Sequence, residues 1–88
     1  MAESLVQRVG KSIAAHRLQR GWSQQDLADK SGIGQSTISR YEAGDRVMGI
    51  EALVRLSNAL NVAPGVLLCG MAPGRPLAVA TAVMKEAS

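Results

Sequence analysis

Residues 22–44 read WSQQDLADKSGIGQSTISRYEAG, from Trp22 to Gly44. Ser23 is placed as a helix N-cap, because its hydroxyl can accept from orphan N–H groups of a first turn. Asp26, three residues on, can reach back to complete a capping box. Trp22, ahead of the cap, can pack on Leu27 as a hydrophobic staple, which gives the single tryptophan a structural task. This helix runs from about Gln24 to Lys30, since Ser31-Gly32 supplies a turn and Ile33 reads as a buried anchor within it. A second helix starts near Gln35, carries Ile38 and Tyr41 inward at a spacing of three, and stops at Gly44. Its other positions, Gln35, Ser36, Ser39 and Arg40, are polar side chains left on the remaining faces.

The flanking sequence is also helical in period. From Ser4 to Arg20, Leu5, Val6, Val9, Ile13 and Ala14 recur at three- and four-residue spacing. Gly21 ends that helix, with Arg17 and Arg20 opposing the negative end of its dipole. A fourth helix spans about Ile50 to Leu60, with Ile50, Leu53, Val54, Ser57 and Leu60 on one stripe and Asn61 or the residues after it as the stop. Pro64 suits the first turn of a fifth through about Leu68, with Gly70 after it. Pro73-Gly74-Arg75-Pro76 then forbids continuous helix and reads as a linker. The mostly apolar run Leu77–Met84 follows. Left in water it would be costly, so it is expected to pack on the domain or on a partner chain.

Composition bounds what such a chain does. Its 88 residues suit one small domain, residues 5–70, with a short tail, 71–88. With 47% hydrophobic residues but no Phe, one Trp and one Tyr, the core is aliphatic and an all-β sandwich is excluded. Net charge +3 favours a polyanionic partner. Cys69 alone excludes a disulfide framework and a cysteine-rich zinc site, and it reads as a small buried residue in a reducing compartment. His16, the one histidine, is given a structural role. Catalytic and metal-binding residues are therefore expected to number none, and no cofactor is called for. No run approaches the roughly 20 apolar residues of a membrane span, and Met1–Val9 does not resemble a signal peptide.

A capped short helix, a turn around Gly32 and a second helix with a polar outer face make a helix-turn-helix, residues 24–43. Ala28, a small residue facing Ile33 and Ile38, allows the steep crossing that lets the second helix enter the 12 Å major groove of B-DNA. Over about Val9 to Gly70 the chain resembles the phage-repressor and Cro type of helix-turn-helix protein, also called the xenobiotic-response-element family. The resemblance is carried by Arg17, Gln24, Leu27, Ala28, Gly32, Ile38, Ser39, Glu42, Gly44, Leu53 and Leu60. It implies an all-α, five-helix, lambda-repressor-like domain whose third helix reads double-stranded DNA as part of a homodimer.

By position, the resemblance assigns Gln35, Ser36, Ser39 and Arg40 to base edges. It assigns Ser23, Gln24, Thr37, Arg46 and one hand of Arg17 to phosphates, and Arg17 with Glu42 to an internal salt bridge. The side-chain chemistry agrees, since Arg pairs bidentately with guanine and Gln with adenine. Gly34 and Gly49 depart from the family's hydroxyl caps, and Met48 from its frequent proline. Val66, Leu67, Leu68, Leu77, Val79, Val83 and Met84 are the apolar residues available for dimerisation. The function expected is a cytoplasmic transcriptional repressor on a palindromic operator, of bacterial, phage or plasmid origin and with no small-molecule ligand. The alternatives are an antitoxin, a restriction-modification controller, or a protein-interaction adaptor.

Overall fold

The computed structural model describes residues 3–69, and within them every regular element is a helix. The helices are α1 (Leu5–Gln19), α2 (Gln24–Ser31), α3 (Gln35–Ala43), α4 (Ile50–Leu60) and α5 (Pro64–Leu68). Helix α1 packs on α3, α4 and α5, while α2 packs on α3 and α4, so the α2–α3 pair is held from behind. The expected boundary after Gly70 and the whole segment 71–88 lie outside the described residues.

Local chemistry sets each end. Ser4 caps α1 through a capping box with Gln7, a Ser-x-x-Gln signal that the hydrophobic period alone does not reveal. Ser23 and Asp26 form the box expected at α2: the Asp26 N–H donates to Ser23 Oγ at 3.0 Å, and the Ser23 N–H to Asp26 Oδ2 at 2.8 Å. Gly32 at φ 75° and Gly44 at φ 77° close α2 and α3 in the left-handed region, where a Cβ is strained. Helix α2 extends one residue past the expected Lys30, to Ser31, because its C-cap is Gly32 itself. Gly34 and Gly49 cap α3 and α4 with no side-chain bond.

The core is built from Val9, Ile13, Leu27, Ala28, Ile38, Tyr41, Leu53, Leu56, Leu60 and Leu67, with Trp22, Ile33 and Met48 packed against it. Two expectations are corrected here. The buried stripe of α4 is Leu53, Leu56, Ser57 and Leu60, while Ile50 is 82% exposed and Val54 also faces out. Positions 50, 53, 54 and 57 satisfy the i, i+3, i+4, i+7 rule as well as 53, 56, 57 and 60 do, so spacing alone does not choose the face and packing against the neighbouring helices does. Cys69 is exposed, because it caps the short α5 and follows the last buried residue, Leu67, by two positions. His16 is buried at 1% exposure, in keeping with a structural role.

Gly10 has a packing reason. A Cβ built on it would lie 2.2 Å from the Tyr41 carbonyl oxygen, so only glycine lets α1 approach α3 this closely.

Candidate nucleic-acid interface

The residues assigned to DNA from the sequence lie mainly on the outer face of α3 and at the start of α2. Gln35, Ser36 and Arg40 are exposed, and Ser39 and Thr37 are half-buried, so positions 35, 36, 39 and 40 form one polar strip at helical spacing. Behind that strip runs a polar relay. Arg17 Nε donates to Glu42 Oε2 at 2.7 Å and Arg17 Nη2 to Glu42 Oε1 at 2.9 Å, a bidentate fork. Arg17 Nη1 donates to the Trp22 carbonyl at 2.7 Å. The two charged side chains are only 11% and 7% exposed. Hydrogen bonding to Glu42 outweighs burial and raises Arg17 above the ordinary arginine pKa.

The relay continues outward. Gln24 Nε2 donates to Glu42 Oε1 at 3.0 Å, and Gln24 Oε1 accepts from Gln35 Nε2 at 2.9 Å. Because an ionised Glu42 can only accept, the Gln24 amide must turn its nitrogen inward and its oxygen toward Gln35. Gln35 then offers its Oε1 and its second N–H to a ligand. One face of a buried salt bridge thus orients the first side chain of α3, and neither glutamine's part in this is visible from sequence spacing.

The expected phosphate-facing residues divide. Gln24 is half-buried and engaged at both ends of its amide, and Arg17 is turned into the protein, so the salt bridge accounts for its side chain. Ser23 accepts at its Oγ in the cap, which leaves the hydroxyl proton for an acceptor. Arg46 is exposed on the α3–α4 loop. Arg20, expected to oppose the negative end of the α1 dipole, donates to the His16 carbonyl in that last turn and also to the carbonyl of Leu60, bracing the end of α4, which has no basic residue in its own last turn. Asp26 is held below the ordinary carboxylate pKa by the backbone N–H of Ser23. Of the residues expected at a dimer contact, Val66 and Leu67 are buried in their own domain and Leu68 is exposed. Leu77, Val79, Val83 and Met84 lie outside the described residues. Among the described residues no three His, Cys, Asp or Glu gather to hold a metal ion.

A helix-turn-helix family model matches residues 13–67, which takes in α2, α3 and α4 whole. The chain belongs to the Cro/CI-type helix-turn-helix family. Among curated members it is 39% identical over 75 residues to multiprotein-bridging factor 1 of Candida glabrata, covering 85% of this chain and 47% of that protein. It is 35% identical over 60 residues to the HTH-type transcriptional regulator ImmR of Bacillus subtilis, covering 68% of this chain and 47% of the relative. The chain therefore spans about half the length of these relatives. Of solved family structures it resembles the restriction-modification controller protein C.Esp1396I, a tetramer in complex with its natural 35 base-pair operator. There the TM-score is 0.68 at 32% identity, over 75% of this chain and 87% of that one.

Proposed function

We propose that this chain is a sequence-specific DNA-binding transcriptional regulator, a repressor that occupies a palindromic operator as a homodimer and reads the major groove with α3. The observation that carries the reading is the locked polar strip: Gln35 is oriented from behind by Gln24 and Glu42, and Ser36, Ser39 and Arg40 continue the same face. With one Nε2 proton given to Gln24, the remaining N–H and the Oε1 of Gln35 match the N7 and N6 of adenine, while Arg40 suits guanine O6 and N7. Ser23, Thr37 and Arg46 supply phosphate contacts, with Gln24 at the positive end of α2.

One domain of this size covers too little DNA for a tight, selective site, and two half-sites one helical turn apart supply the rest. No helix among the described residues is long and apolar enough to cross a membrane. The place of action is cytoplasmic DNA of bacterial, phage or plasmid origin. A mobility-shift titration at moderate salt tests the proposal: one family of duplexes is expected to be retained well before bulk DNA, and equal retention of all duplexes would defeat it.

Two further readings, a controller and an adaptor, have support from particular relatives. The likeness to C.Esp1396I favours a restriction-modification controller, and an antitoxin would use the same DNA-reading domain. The likeness to multiprotein-bridging factor 1 favours an adaptor, for which the same titration would show an intact fold and no DNA retained.

A further inference from the structure

Away from the DNA-facing strip, the domain carries an apolar groove between the first turns of α1, the α3–α4 loop and the end of α5. Leu5, Val6, Val47, Met48, Leu53 and Leu68 line it, and Arg46 stands at its rim. Three of these apolar side chains are largely in water: Val47 is 76% exposed, Leu5 56% and Leu68 44%. Scattered exposed leucines and valines are ordinary, but here they gather around one concavity, which offers an apolar segment a place to bury its side chains.

We propose that the occupant is this chain's own segment Leu77–Met84, docking in cis. Three observations select it. The segment reads LAVATAVM and carries no charge, so it matches a groove whose lining is apolar. The groove includes Leu68, the last residue of α5, so the chain leaves the domain at the groove's own wall. Eight residues, 69–76, separate that wall from Leu77, and at about 3.3 Å per residue they can go out and return. Pro73, Gly74 and Pro76 suit the reversal. A tether this short sets an effective concentration on the order of millimolar, which favours the segment of the same chain over that of a second copy.

The consequence concerns the loop that follows the reading helix. Arg46, Val47 and Met48 all belong to the groove, so a docked segment steadies the stretch that holds Arg46 toward DNA. The docking itself stands on the groove, and only its effect on Arg46 rests on the DNA-reading proposal.

Methyl-labelled full-length chain tests it. Nuclear Overhauser contacts are expected between the Met84 or Val83 methyls and those of Val47, Leu5 or Leu68. Those contacts should disappear in Val47→Asp, and in Val79→Asp with Val83→Asp, while the Trp22 indole signal, a fold marker inside the domain, stays in place. The proposal is overturned by the absence of such contacts in the unsubstituted chain. It is equally overturned if they occur only between differently labelled chains mixed in one tube, since that result assigns the groove to a second copy.

Discussion

Glu42 is the residue on which most of the interface turns, because it accepts from Arg17 twice and from Gln24 once. Replacing it with alanine strands a guanidinium that is 11% exposed. The expected cost is about 3–5 kcal/mol, read as a lower denaturant midpoint, because breaking one side of a buried pair leaves an uncompensated charge. Gly10→Ala is expected to cost about 1–3 kcal/mol or more on the same assay, since its methyl would press on backbone rather than on a flexible side chain. The sequence held part of this. The Arg17–Glu42 pair was legible through the family pattern, whereas the close packing at Gly10 went unread, although a mid-helix glycine, about 1 kcal/mol worse than alanine there, hints at it. The Gln24–Glu42 and Gln24–Gln35 bonds were not legible, because they join residues 18 and 11 positions apart whose meeting depends on how the helices cross. The Arg20 bond to Leu60, 40 positions away, was hidden for the same reason.

At the scale of the helix, caps were the most readable feature and faces the least. The Ser23–Asp26 box, the stops at Gly32 and Gly44 and the proline start of α5 all follow from side-chain chemistry within a few residues, and the structure has each of them. The face of α4 depended instead on which neighbours it met, so Leu56 entered the core and Ile50 did not. The α2 cap also has a pH signature. Asp26 is depressed in the folded protein, so its contribution is fully present above the unfolded value of about 3.9 and is lost as pH falls through the lower folded value. Acid titration followed by circular dichroism should therefore show Asp26→Asn less sensitive to pH than the parent below about pH 4. Greater sensitivity in the variant would contradict the cap.

For the whole molecule, the net charge of +3 matters through its placement. Arg40 and Arg46 are exposed at or beside the face proposed to read DNA, whereas Arg17 and Arg20 are engaged in internal bonds. Arg46→Ala should accordingly weaken all duplexes alike and reduce the slope of log K against log salt by about 1, measured by fluorescence anisotropy. Under the proposal that Leu77–Met84 docks on its own domain, deleting residues 77–88 should leave the number of chains per assembly unchanged, checked by sedimentation. The most direct test of the central claim is selection of bound duplexes from a random pool, run in parallel with the parent and Arg40→Ala. The parent is expected to enrich a two-fold-symmetric site with half-sites about one turn apart. Arg40→Ala should lose about 1–3 kcal/mol on that site and relax one base position in each half. Enrichment of no sequence by the parent, or an equal loss on selected and random duplexes for Arg40→Ala, would contradict the account.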